Sequence, residues 1–457
     1  MTKTKDKSYM LSGSLWKGII LFAIPVSLTA LLHQLFHSVD MMVVGRFCGP
    51  NELAAVGSNN AIVNLLINIF MGFSVGANVV IGHFIGEGKV DLAKQTMHTS
   101  IALSIISGII VGLFGSFFSR NFLNFVSSPP EVIDLATLYL RIYFLGIPFQ
   151  MIYNFSAAIL RSRGQTTIPF ICLTTGGISN IFLNLFFVIV LKMGVAGVAI
   201  ATVISNGISC FLILRYLFNK KNDFHLSLEE VKINASLFKK ILYQGIPVCI
   251  HAALFPFSNM ILQSGINSLG AVTAAGSAAA VSLEAYGSNF MEGFTQANLN
   301  FVSQNKGAKN YKRCIKSVLV SLVYCIIFLN TINFSIYSFK NVLLSLFSTD
   351  PAVISVSAER LKFMFTFYSF ASVQSIITVT IRALGYPIFS TFTSIICICG
   401  FRILWMETVF KAYPSFITIL ATYPITWIMV LIISSIFLFF VFKKEMKKER
   451  EQQCLQQ

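Results

Sequence analysis

Charge is scarce in this chain. Only 11% of the 457 residues are Asp, Glu, Lys or Arg, and just 18 of them are acidic. A soluble domain carries roughly a quarter charged residues, so a water-soluble globular fold is excluded. Paired-cysteine chemistry is also missing. The nine cysteines are an odd count, most lie inside apolar runs, and no Cys-x-x-Cys occurs. They read as small apolar packing residues rather than a disulfide frame or zinc site. No His-Glu-x-x-His and no nucleophile–base pair is present, which leaves a membrane-embedded enzyme without its chemistry. Alternating polar and apolar segments are lacking too, which excludes a transmembrane barrel.

What remains is apolar. Hydrophobic residues make up 55% of the chain, with 44 phenylalanines, in runs such as Ile101 to Phe118 and Ile425 to Phe442. A helix needs about 20 apolar residues to cross a hydrocarbon core of roughly 30 Å. The fold class expected is therefore all-α integral membrane, with twelve transmembrane helices in two six-helix pseudo-symmetric bundles. The spans are 17–45, 52–82, 92–118, 132–160, 167–191, 195–219, 237–266, 273–303, 314–347, 353–382, 387–411 and 416–443. The apolar segment after Met1 to Lys17 is long and contains Asp40, so it reads as a retained first helix rather than a cleaved signal.

The net charge of +16 invites a nucleic-acid reading, but the basic residues sit in short loops between apolar runs. Lys3, Lys5, Lys7, Lys89, Lys94, Arg161, Arg163, Lys220, Lys221, Lys306, Lys309, Arg382 and Lys443 fall on one side with many others. The opposite side has only Arg46, Arg120, Lys192, Lys340 and Lys411. That bias puts both termini in the cytoplasm and the chain in the cell membrane as a multi-pass protein. An N-terminal lobe is expected at 1–219, a cytoplasmic linker at 220–236, and a C-terminal lobe with a basic tail at 237–457. The lobes repeat: Pro25 recurs as Pro247, Gly72-Phe73 as Gly293-Phe294, and Arg161 with Gly164 as Arg382 with Gly385. Two halves of six helices place a substrate path between bundles, as alternating access requires.

Ionisable and amide side chains within spans are costly and mark function. Asp40, Asn184 and Thr202 lie roughly 8–12 Å below the outer surface at the 1.5 Å helical rise, and Asn180 lies one turn deeper than Asn184. One carboxylate ringed by amide and hydroxyl oxygens makes a candidate proton or Na⁺ site; amides packing neighbouring helices together is the plainer alternative. His33 and His37 share a face with Asp40, either as a proton relay or as a polar stripe facing a cavity. Stripes at helical spacing (Asn60, Asn64, Asn68; Asn259, Gln263, Asn267; Glu284, Ser288, Glu292) line a wet interior or hold helices together. His37, Asn64, Asn68, Asn154, Gln263, Glu284 and Glu292 are the candidate cavity lining. The two glutamates would suit a cationic substrate or a second proton step, unless Glu292 is simply solvated at the helix end. Pro25 and Pro247 interrupt matching helices, where a transporter moves or binds.

Several segments resemble the multidrug and toxic compound extrusion (MATE) transporters along nearly the whole chain. They are Asp40-Met-Met-Val-Val-Gly45, Gly76-Ala-Asn-Val-Val80, and Leu160-Arg-Ser-Arg-Gly164 with its echo Ile381-Arg-Ala-Leu-Gly385. Asn180 to Asn184 followed by Met193 to Thr202, Gln304-Asn305, and Tyr423-Pro-Ile-Thr-Trp427 complete the set. The resemblance implies a two-lobed antiporter that exports small amphipathic organic cations in exchange for H⁺ or Na⁺. It also implies ion coupling at Asp40, with Asn180, Asn184 and Thr202 completing the site. Asn184 stands where many relatives have Asp, which weakens a two-carboxylate Na⁺ site and shifts the expectation to protons. His251 stands where some relatives have Glu. A functional monomer with no cofactor beyond the coupling ion and no nucleic-acid partner is expected. A lipid-linked oligosaccharide flippase is the related alternative; those proteins often carry a strongly cationic cavity. Here few cations fall within spans, chiefly Arg402, with Arg141, Arg360 and Lys362 near span ends.

Overall fold

The computed structural model describes residues 9–125, 129–222 and 224–456, without the side chains of 50, 58, 60–62, 64, 65, 69, 450 and 452–456. It is helical, with no strand among the described residues. Among the described residues twelve long helices follow one another: α1 (Leu15–Phe47), α2 (Pro50–Gly86), α3 (Val90–Phe125), α4 (Ile133–Ser162), α5 (Thr167–Val190) and α6 (Gly194–Leu217) in the first half. The second half holds α7 (Ala235–Ser268), α8 (Ala271–Gly307), α9 (Tyr311–Ser338), α10 (Pro351–Ala383), α11 (Pro387–Phe410) and α12 (Phe416–Gln456).

Eleven of these are long and apolar enough to cross a membrane, among the described residues. The exception is α8, which at 37 residues is long enough but rich in Ala, Ser, Asn and Gly. The polarity of its C-terminal part is tolerated because protein covers it. Residues 297–305 are buried without a break, and Asn298 Nδ2 donates to Thr380 Oγ1 at 2.8 Å. Amide-to-hydroxyl bonds of this kind satisfy polar groups that hydrocarbon cannot.

The chain divides into two compact units, and the division runs through α1 and α7. One unit holds Leu28–Ile85 and Lys89–Cys249; the other holds Ile250–Gln457 with Met1–Ser27 and Gly86–Gly88. Each break falls two residues after the proline of its helix, Pro25 in α1 and Pro247 in α7. A proline removes one intrahelical hydrogen bond, so it is the natural place for a helix to change partners.

Glycine makes both exchanges possible. In the unit ending at Cys249, a Cβ on Gly72 of α2 would lie 2.7 Å from the Cys249 backbone nitrogen. In the other, a Cβ on Gly293 of α8 would lie 2.8 Å from the Ser27 nitrogen, and Ser27 Oγ donates to the Phe290 carbonyl at 2.8 Å. These glycines correspond in the repeat, so one close approach is built twice. The turns after α4 and α10 are duplicated as well. Gly164 and Gly385 sit at φ +84° and +93°, where a side chain would be strained. The following nitrogens close each helix, Gln165 on Leu160 O at 2.9 Å and Tyr386 on Ile381 O at 3.1 Å.

Candidate functional site

In the N-terminal unit the helices bring three of the four expected coupling residues together. Asn184 Nδ2 donates to Asp40 Oδ1 at 2.5 Å and to Asn180 Oδ1 at 3.1 Å. Asn184 is fully buried, Asn180 nearly so, and Asp40 is half-buried. The 180/184 spacing puts both amides on one face of α5, and a π-helical turn at Phe186–Val190 follows directly. Among the described residues Asn184 Oδ1 is buried without a hydrogen-bond partner, an acceptor left open beside the carboxylate. Among the described residues no cation lies within ion-pair distance of Asp40.

Thr202 stands apart from this chain of bonds. Its hydroxyl donates to the Val198 carbonyl of its own helix at 3.0 Å, the usual fate of a helical threonine with no better acceptor in reach. His37 is exposed one turn before Asp40, Asn68 is exposed and Asn154 is half-buried. The side chain of Asn64 lies outside the described residues. Tyr139, which the sequence did not single out, packs with Val43, Val44 and Val198 in an apolar cluster that surrounds the Asp40 end of α1. Nothing in local sequence marks that tyrosine.

The C-terminal unit holds a half-open cavity of about 530 Å³ lined by α7, α8, α10, α11 and α12. Gln263, Glu284 and Glu292 all line it, although Gln263 Nε2 is spent on Asn267 Oδ1 at 2.9 Å. Glu284 is not an open carboxylate. Arg360 Nε and Nη2 donate to its two oxygens at 2.8 and 3.2 Å, and Arg360 Nη1 donates to Ser277 Oγ at 2.9 Å. The pair is nearly solvent-free, with Glu284 6% and Arg360 2% exposed. Arg360, which sequence depth put near a span end, is therefore deep in protein, and the charge of Glu284 is neutralised. Glu292 is exposed and accepts from Thr295 and Gln296 at 3.1 and 2.7 Å. Arg382 and the fully buried Arg402 border the same space.

Residues 25–186 and again 247–405 match the MatE family model, one match for each half of the repeat. The chain belongs to the MATE family. It is 28% identical to the probable multidrug resistance protein YoeA of Bacillus subtilis, covering 85% of this chain and 86% of that one. It is 22% identical to a Shewanella oneidensis protein named as an FAD transporter, covering 77% and 78%. Among solved structures, an outward-facing multidrug resistance MATE transporter superposes with a TM-score of 0.90 at 20% identity, over 98% of this chain and all of the other. The MATE fold is thus shared throughout, with a carboxylate–amide group in one unit and an arginine-rich cavity in the other.

Proposed function

We propose that this MATE protein is a secondary antiporter that expels small amphipathic molecules from the cell in exchange for H⁺, with Asp40 as the coupling carboxylate and both termini cytoplasmic. The observation that carries the reading is Asp40 itself, half-buried beside Asn184 with no cation among the described residues to balance it. A bare carboxylate within a membrane helix is costly, and a proton is the smallest cation that removes the cost. Once protonated, Asp40 becomes a donor, and the open Asn184 Oδ1 is the acceptor nearest to hand if the amide turns over. A hard cation such as Na⁺ needs several oxygens turned inward, whereas here an N–H faces both Asp40 and Asn180. That favours H⁺ as the coupling ion.

Coupling requires that ion and cargo oppose one another energetically. Protonation from outside removes the charge of Asp40, α1 repacks, and cargo is released outward. The names of the relatives differ in cargo, multidrug against FAD, so family membership leaves the cargo open. The test is efflux of a fluorescent amphipathic dye from vesicles containing this chain, under a proton or a Na⁺ gradient imposed separately. Export should follow the proton gradient and vanish in Asp40→Asn. Full export by Asp40→Asn, or export driven by Na⁺ alone, would overturn the assignment.

A further inference from the structure

We infer that the cavity of the C-terminal unit holds an anionic group of the cargo, a carboxylate or similar singly charged oxyanion on an aromatic body, gripped by Arg402. Calling the ligand cargo rests on the export reading above; the site itself does not.

The charge inventory of the cavity leads there. Three guanidinium groups border it, those of Arg360, Arg382 and Arg402, against two carboxylates. Arg360 is consumed by Glu284 in a two-pronged ion pair. Arg382 Nε donates to Ser390 Oγ at 3.0 Å, and Arg402 Nη1 donates to Asn259 Oδ1 at 2.8 Å and Ser258 Oγ at 3.4 Å. Among the described residues, neither has a carboxylate within ion-pair distance. Arg402 is 1% exposed, and its Nε has no hydrogen-bond partner among the described residues. A buried, uncompensated guanidinium is expensive, and neutral hydroxyl and amide partners do not cancel its charge. An oxyanion would do so, through the fork geometry that suits arginine to carboxylates.

The surroundings fit an aromatic compound. Arg402 lies over the Tyr423 ring at 4.7 Å and the Phe255 ring at 5.7 Å, and His251 stacks on Phe255. The cavity volume is of the size that takes small organic ligands, roughly 300–1,000 Å³. The helix carrying Arg402 is π-helical on both sides of it, at Ile395–Gly400 and Met406–Phe410. Such turns are uncommon and gather at functional sites. A cationic cargo, by contrast, would meet a like charge in the cavity wall at Arg402. The cationic cargo expected from family resemblance therefore fits this unit poorly.

The test is equilibrium binding to the purified full chain in lipid nanodiscs, with two probes that differ in one group. One is a xanthene dye with a free carboxylate and the other is its methyl ester. The acid should bind about tenfold tighter than the ester, since each 1.4 kcal/mol gained at one charged contact is tenfold. Arg402→Lys should weaken the acid by a similar factor and leave the ester unmoved, because it keeps the charge but loses the fork. Arg402→Gln should erase the preference. If Arg402→Gln fails to fold, Arg402→Lys carries the test alone. Equal or tighter binding of the ester, or an acid preference that survives both substitutions, would overturn the site. No gradient is involved, so the two readings fail separately. Acid binding without gradient-driven export of either dye would refute the exporter, and export of the ester with no acid preference would refute only the anion site.

Discussion

Removing the carboxylate of Glu284 should destabilise the protein more than it impairs export. Arg360 makes three hydrogen bonds, two of them to Glu284, and is 2% exposed. Glu284→Ala would leave the guanidinium with only Ser277 and Tyr423, neither of them a carboxylate, and stranding one partner of a buried ion pair costs about 3–5 kcal/mol. Glu284→Gln keeps one acceptor oxygen and loses the charge assistance; a hydrogen bond to a charged group is worth about 1.5–3 kcal/mol, so a loss near 2 is expected. Replacing both partners, Glu284→Leu with Arg360→Met, should recover most of the loss, because matched apolar groups of similar volume often substitute for a buried pair at little net cost. The assay is reversible unfolding in mixed micelles for each single variant and the double, read as a double-mutant cycle. A coupling below about 0.5 kcal/mol, the lower end for residues in contact, would refute the pairing. So would a Glu284→Gln protein of native stability that has lost export; Glu284 would then be a cation or proton site, as its depth in the sequence first allowed.

Two further outcomes follow from local geometry. Asn184→Asp would set a second carboxylate against Asp40, supplying the hard oxygen that the amide nitrogen now displaces, and dye export should become stimulated by Na⁺; indifference to Na⁺ would show that one residue does not select the ion. Gly293→Ala should cost about 1–3 kcal/mol of stability by overpacking against Ser27, whereas Gly207→Ala, with open space around its Cβ, should be neutral or gain up to about 1 kcal/mol; equal effects in thermal unfolding would refute the close approach.

The spans were legible because hydrocarbon thickness imposes a length and a composition on every exposed helix. The helix α8 shows the limit of that rule: protein solvates its Asn298 and Asn305, so it is too polar to qualify by composition, although the span 273–303 read from the sequence lies within it. The Asp40–Asn184–Asn180 group was legible from depth counting along α1 and α5, since helical rise converts sequence position into membrane level. Thr202 passed the same count, but depth says nothing of where a hydroxyl points, and its own helix claims it. The pairings of Arg360 with Glu284 and Arg402 with Asn259 join residues 76 and 143 positions apart on different helices. No periodicity encodes such a distance. What the sequence did hold was the anomaly of a cation inside a span at Arg402, read there only as evidence that cations were few.

The two uncompensated charges, a carboxylate in one unit and a guanidinium in the other, carry a consequence for energetics. If H⁺ enters as a cationic dye leaves, no net charge crosses per cycle, and the membrane potential does no work. If H⁺ enters as a net-neutral dye with a carboxylate leaves, one positive charge moves inward. Each charge moved is worth roughly 2.3 kcal/mol per 100 mV, enough for about a fiftyfold concentration ratio at tenfold per 1.4 kcal/mol. An inside-negative potiental set by a potassium ionophore, with pH equal on both sides, should therefore drive accumulation of the acid dye against its gradient in the export direction. The methyl ester should show none under the same potential, although a pH gradient should still move whatever fraction of it the cavity accepts. Accumulation of the ester to the same ratio would mean that its charge is not exchanged one for one with protons. Failure of the acid to respond to either the potential or a pH gradient, while the ester still responds to pH, would mean that its carboxylate leaves already neutralised by a proton that cancels the one entering, and Arg402 would then be selecting a group it does not carry across as an anion.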